Sequence, residues 1–222
     1  MSGRWRITLA GLLAAVALAG CGGSGGSATT DDGPVSDVII ETDTTATPSE
    51  FRGGTVEPVV AAPALDLRSQ DGELVTLEDL RGKVVMVSFL YSNCPDICPV
   101  ILQKMRYAQT QLGARAKDTA IVVISVDPKG DTPKAVTSYL KRRGLTGHVT
   151  WLVSDAPTLA AAWKRWGVLA AESADDPDLI EHSGVVWLLD QEGRRVVYYP
   201  LSAIEPDDIV HDIGRLLTTS GG

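Results

Sequence analysis

Residues 58–222 predict one α/β domain: a central mixed β-sheet flanked by helices, with a small N-terminal β extension. Three observations carry that prediction. Two unbroken β-rich apolar runs, 83–91 (KVVMVSFLY) and 119–126 (TAIVVISV), have the pattern of strands covered on both faces. Segments with helical spacing alternate with strand-type segments along most of this region. Near the end, Asp190-Gln191-Glu192-Gly193 separates two β-rich runs, which is a hairpin signature.

Taken in order, residues 64–80 predict a small hairpin around Asp71-Gly72, followed by the first buried strand. Residues 99–112 then have helical spacing, with Pro99 in the first turn, where its missing N–H costs nothing. After the second buried strand, Thr132-Pro133 opens a helix to about Arg143, with Thr132 as N-cap. Residues 149–153 form a short strand, and Asp155 caps a helix reaching Trp166 before Gly167. Strands at 185–189 and 194–199 and an amphipathic helix over 205–217 complete the domain. Met86, Met105 and the tryptophans 151, 163, 166 and 187 are placed as core and helix-face residues. His148 and His211 read as structural or surface residues.

The N-terminal segment is of another kind. Arg4 and Arg6 precede an uncharged apolar run over 7–20, the layout of a secretory signal and too short for a permanent membrane span. The exit Leu18-Ala19-Gly20-Cys21 resembles the lipobox of bacterial lipoproteins, which implies acylation of Cys21 and anchoring at the outer face of the cell membrane. Residues 21–57 are rich in Gly, Ser, Thr and acids and read as a disordered tether, with a reach of roughly 30–35 Å. Formal charge is −8 for the whole chain, and most of the acidity lies in the tether. No Lys/Arg cluster of the kind nucleic acid requires is present in the sequence.

With Cys21 assigned to lipid, Cys94 and Cys98 are the remaining thiols. They sit in Cys94-Pro95-Asp96-Ile97-Cys98-Pro99, where the first buried strand passes into its helix, the thioredoxin-like arrangement. The i, i+4 spacing puts both sulfurs on one side of a helix start, which favours thiolate. Such a pair can be a disulfide, a redox couple or a metal site. In a thioredoxin-like fold the loop before the late strand faces this turn, and there the chain offers His182 rather than a proline. A lone His is commonly a solvated loop residue, but this position makes it the third ligand expected. Two thiolates and an imidazole suit three-coordinate Cu(I), or Cu(II) with an added ligand.

These residues resemble the Sco/SenC family. The resemblance rests on Cys94-Pro95-Asp96-Ile97-Cys98-Pro99, on Ser125-Val126-Asp127-Pro128 with Asp131-Thr132-Pro133, and on His182-Ser183 before a strand ending Leu189-Asp190. It implies a copper metallochaperone that binds copper through Cys94, Cys98 and His182. It also implies delivery to the binuclear copper site of cytochrome c oxidase subunit II. The alternative is a thiol–disulfide oxidoreductase that reduces a partner's cysteines before metallation, through a Cys94–Cys98 disulfide. A peroxiredoxin-type peroxidase ranks below both, because Tyr91 stands where that chemistry needs Thr or Ser. Asp131 reads as cap chemistry, whereas Asp127 divides evenly between turn chemistry and orienting a copper ligand from behind. Two departures from the family pattern fall before His182: Asp178 in place of an aromatic residue, and a short acidic stretch.

Overall fold

The computed structural model describes residues 51–176 and 179–219. The expected leader, Cys21 and most of the tether lie outside the described residues, as do Pro177 and Asp178. Among the described residues an eight-stranded sheet runs in the order β1-β10-β9-β4-β5-β6-β2-β3. Its strands are β1 (Gly54–Ala61), β2 (Leu67–Ser69), β3 (Leu74–Val75), β4 (Val84–Leu90), β5 (Thr119–Ser125), β6 (Thr150–Val153), β9 (Val185–Leu189) and β10 (Arg194–Pro200). A separate hairpin pairs β7 (Ala170–Glu172) with β8 (Ile180–His182). The helices are α1 (Ile97–Gln111), α2 (Pro133–Arg142), α3 (Ala156–Trp166) and α4 (Pro206–Thr219).

The two apolar runs lie at the middle of the sheet because their residues can be buried on both faces. All seven residues of β4 are buried; β4 pairs in parallel with β5 and antiparallel with β9. Strand β5 pairs in parallel with β6, so α1 and α2 are the crossovers that parallel neighbours require. The remaining pairings are antiparallel, which gives the mixed, helix-flanked sheet of a thioredoxin-like fold. Phe89 meets Trp166 of α3 edge-on at 5.8 Å, and Tyr139 of α2 meets Trp151 of β6 at 5.5 Å. Met86 and Met105 are fully buried, as expected.

The helix caps follow from the sequence. Thr132 Oγ1 accepts the Ala135 N–H at 3.2 Å with Pro133 next to it, and Asp155 Oδ1 accepts the Thr158 N–H at 3.0 Å. Helix α3 ends at Gly167 in the left-handed conformation, φ 70°, which a side chain would strain.

Residues packed into the domain are found before the boundary expected at residue 58. Phe51 packs against the core, and β1 crosses that boundary to pair with β10. The N–H groups of Arg52 and Gly53 donate to the fully buried Asp212 carboxylate of α4 at 2.9–3.1 Å. Tyr199 donates its hydroxyl to the same carboxylate. Three donors from distant segments satisfy a charge that would otherwise be costly to bury. Residues 51–57 therefore belong to the domain rather than to a tether.

Candidate metal centre

Strand β4 ends at Leu90, and the chain turns through Tyr91 to Cys94 before α1 begins at Ile97. The Cys94 N–H donates to the Tyr91 carbonyl at 3.3 Å, closing the turn. Asp96 precedes α1 but makes no side-chain cap. The sulfur of Cys94 takes that place: it accepts the Cys98 N–H at 3.4 Å and the Asp96 N–H as well. Donors that a helix N-terminus leaves unpaired thus converge on a thiolate.

Both cysteines are buried free thiols, and they differ in acidity. A hydrogen bond from the Cys98 thiol, the N–H groups of Asp96 and Cys98, and the Tyr91 hydroxyl hold Cys94 well below the usual thiol range. Its bond to the Cys94 sulfur, and then burial, push Cys98 up. Within the pair, the thiolate is thus favoured on Cys94 and the thiol on Cys98.

His182 closes β8, and its Nε2 lies 3.9 Å from Cys98 Sγ. Its Nδ1 is 3.2 Å from the Ser183 carbonyl. A carbonyl only accepts, so Nδ1 carries the proton and Nε2 presents its lone pair toward sulfur. Burial holds the imidazole below the usual His range, against the Ser183 bond and the Cys94 charge. The hairpin carrying it is closed on itself where Ser183 N–H donates to Leu169 O at 2.9 Å and Leu169 N–H to Ser183 Oγ at 3.1 Å. It is tied to the cysteine turn where Ile180 N–H donates to the Tyr91 hydroxyl at 3.4 Å. The Tyr91 and His182 rings meet edge-on at 6.0 Å. Gly184, next along, sits so close to Leu201 that a Cβ would lie 1.8 Å from it. A larger residue there would displace the Leu201 side chain.

The donor set fits a soft metal ion. With bond lengths of about 2.3 Å to thiolate and 2.0–2.1 Å to imidazole, a trigonal or tetrahedral ion needs S···N of about 3.6–3.8 Å. The observed 3.9 Å lies within a few tenths of this. No group of three His, Cys, Asp or Glu side chains among the described residues is already gathered tightly as a metal cluster. The trio is instead a chain of neighbours, Cys94 to Cys98 to His182.

Asp131 departs from the cap role expected of it, whereas Asp127 takes the turn role, one of its two expected readings. Thr132 does the capping, and Asp131 is buried beneath the cysteine turn. Its carboxylate accepts the Ser92 N–H at 2.8 Å and the Ser125 hydroxyl at 2.7 Å, joining the ends of β4 and β5. Burial pushes its carboxyl above the usual range. Asp127 accepts from the N–H groups of Lys129 and Gly130, at 3.1 and 2.8 Å, within its own turn. Tyr91 and Asp131 are the site residues that sequence reasoning did not assign. His148 is exposed beside Arg106, and His211 bonds to Asp212 at 2.8 Å, both away from the cysteines.

Comparison with known proteins places the chain in a family. A family model described as SCO1/SenC matches residues 57–218. An SCO2-like protein of Rickettsia conorii is 31% identical over 144 residues, covering 62% of this chain and 68% of its own. The mitochondrial SCO1 homolog of Homo sapiens is 25% identical over 150 residues, 64% of this chain and 48% of its own. Among solved structures, copper-bound ScoI of Bradyrhizobium japonicum is 30% identical with a TM-score of 0.62, covering 71% of this chain and 99% of that one. Apo Sco1 of Thermus thermophilus is 26% identical with a TM-score of 0.66, covering 75% and 97%. The chain belongs to the SCO1/SenC family.

Proposed function

We propose that this chain is an extracytoplasmic copper metallochaperone, anchored by lipid at Cys21, that binds copper through Cys94, Cys98 and His182. Its acceptor would be the binuclear copper site of cytochrome c oxidase subunit II. The observation that carries this reading is the imidazole: Nδ1 is tied to a carbonyl, and the free Nε2 faces Cys98 Sγ at 3.9 Å. A relative of this family holds copper in its solved structure. Another is described as a member of the Sco family of cytochrome c oxidase assembly proteins.

Copper is cargo here, so the site must take it up and let it go. Cys94 is the more accessible thiol and already carries the negative charge, so it would meet an incoming ion or acceptor first. Cys98 would give its proton to solvent on binding. Release would proceed by exchange of one ligand at a time for a partner's ligand, with no free ion and no catalytic turnover.

The second reading, a thiol–disulfide oxidoreductase, is favoured by the split between an acidic, accessible Cys94 and a buried, protonated Cys98. In that reaction the Cys94 thiolate attacks a partner disulfide, forming a mixed disulfide and releasing one partner thiolate. Cys98 then loses its proton and attacks Cys94 sulfur. The second partner thiol leaves, a Cys94–Cys98 disulfide remains, and two electrons have passed to the partner.

Titration of the reduced chain with Cu(I) and Cu(II), beside a His182→Ala variant, separates the two. Stoichiometric copper with a Cu(II)–thiolate charge-transfer band, weakened in the variant, is the expected result. Unchanged copper retention by folded His182→Ala would refute the ligand assignment. Absence of metal uptake with rapid disulfide turnover would promote the second reading.

A further inference from the structure

The strand ends opposite the cysteines carry a second site. A cavity of about 490 Å³ opens where β4, β5 and β6 begin, lined by Lys83, Arg106 and Lys117 and by residues 119–121 and 147–150. Seven residues of β4 separate it from the cysteine turn, about 20–25 Å.

Three cations converge on this cavity with almost no acid to balance them. The ion pairs of the described residues use Arg52, Lys104, Lys129, Arg194 and His211, so among the described residues Lys83, Arg106 and Lys117 have no carboxylate within 4 Å. The one acid in the lining, Asp71, accepts a hydrogen bond from Gln70 Nε2 at 2.7 Å. Such a concentration of positive charge runs against the net charge of −8 for the chain.

The guanidinium is also held in place. Arg106 Nη1 donates to Gln109 Oε1 at 3.3 Å and to Thr110 Oγ1 at 2.9 Å, and Nη2 lies 3.4 Å from His148 Nε2. Guanidinium only donates, so His148 Nε2 accepts and the ring proton sits on Nδ1. Gln109 is itself buried and fixed by donating to Thr119 Oγ1 at 3.0 Å. A planar cation oriented by a buried amide, with two lysines on flexible stems around it, is a receptor for a multiply charged oxyanion. A recess with three cations against one acid further concentrates such ions.

We infer that this cavity binds a phosphate group, through Arg106 with Lys83 and Lys117, at the pole of the domain opposite the thiols. The phosphate can be that of a soluble anion or of a phospholipid headgroup. In the second case the domain would rest on the membrane with its thiols turned away from it. The inference is independent of the copper reading, because it uses none of the same residues.

The test follows amide shifts of the ¹⁵N-labelled chain during titration with inorganic phosphate, with chloride at matched ionic strength as control. Saturable shifts confined to residues 117–121 and 147–150 are expected, with the 91–98 turn unmoved. Arg106→Gln should weaken binding about ten-fold or more, and the Lys83→Gln, Lys117→Gln pair by a similar factor. Thermal midpoint and copper stoichiometry serve as the check on folding. Shifts that chloride reproduces, shifts that never saturate, or saturation indifferent to all three substitutions overturn the proposal. A second arm compares phosphatidylcholine vesicles with and without phosphatidylglycerol. Retention by phosphatidylglycerol that free phosphate reverses identifies a lipid headgroup. Phosphate saturation without that retention identifies a soluble anion.

Discussion

The cysteine turn and the histidine hairpin face each other across a few ångströms, yet they are built differently. The turn grows out of β4, the most deeply buried strand, and its sulfur is gripped by the first N–H groups of α1. The hairpin stands outside the eight-stranded sheet and has three residues in each strand. It is fastened to the rest of the domain by the Ile180–Tyr91 bond and the exposed Lys129–Glu172 ion pair rather than by a ladder into the sheet. A site that must hold an ion and then release it gains from this inequality. In the proposed site, two ligands would be fixed in advance, and the third would sit on an element whose displacement costs little core packing.

The largest expected effect tests the fixed side. Structural zinc sites are worth about 10–16 kcal/mol over four ligands, so one ligand corresponds to roughly 2.5–4 kcal/mol. Cys98→Ala should therefore weaken Cu(I) roughly a hundred- to a thousand-fold in a competition assay with a chelator. His182→Ala should cost less, about ten- to a hundred-fold, because part of the imidazole's bond energy goes into fixing the hairpin. Equal losses for both would show that the two rims are held alike and would break the comparison.

The imidazole also sets a pH signature. Burial lowers its proton affinity, so the unfolded chain takes up a proton near pH 6.5 that the folded chain refuses. More protons on the unfolded state means that stability rises with pH through that window and is lost as pH falls below it. Metal-free wild type should lose stability on acidification through this range, and His182→Ala should lose less, as read from denaturant midpoints.

The next effect concerns what roots the turn. Asp131→Ala leaves the buried Ser92 N–H and Ser125 hydroxyl without their acceptor, at about 1–3 kcal/mol for an orphaned group. Because burial disfavours the charged carboxylate, Asp131→Asn should lose less: it keeps one acceptor and carries no charge. The measurement is urea unfolding of both variants. A larger loss for Asn than for Ala would remove Asp131 from this role.

How far these features could be read in the sequence depended on whether their cause was local. β4 and β5 are legible because a strand buried on both faces has to be apolar throughout. The Thr132 and Asp155 caps are legible because a cap bonds within its own turn. β1 is not, since five of its eight residues are exposed, Pro58 interrupts it, and its partner lies some 140 positions on in β10. β7 and β8 are too short to show alternation, so His182 reads as a loop residue although it ends a strand. Asp131 misleads for a different reason. Asp-Thr-Pro is sound cap chemistry, but Thr132 meets that need, and the carboxylate turns toward Ser92, 39 positions earlier. Local sequence offers no sign of such a bond.

The smallest expected effect falls on the residue that links the two rims. Tyr91 is buried at the foot of the turn, and its hydroxyl accepts the Ile180 N–H from the hairpin and donates to the Cys94 sulfur. Burial pushes the phenol up to about 12, so it stays protonated and able to donate at neutral pH. Tyr91→Phe keeps the ring against His182 and removes only the hydroxyl. About 1 kcal/mol of stability should be lost with the hydrogen bond. The Cys94 thiol should also titrate at higher pH, because one of the donors stabilising its thiolate is gone. Thiolate absorbance against pH measures this directly, and the Cu(II)–thiolate band should shift in the same variant while stoichiometry holds. An unmoved thiolate titration would mean that the ring alone joins the rims, leaving turn and hairpin coupled by packing rather than through Cys94.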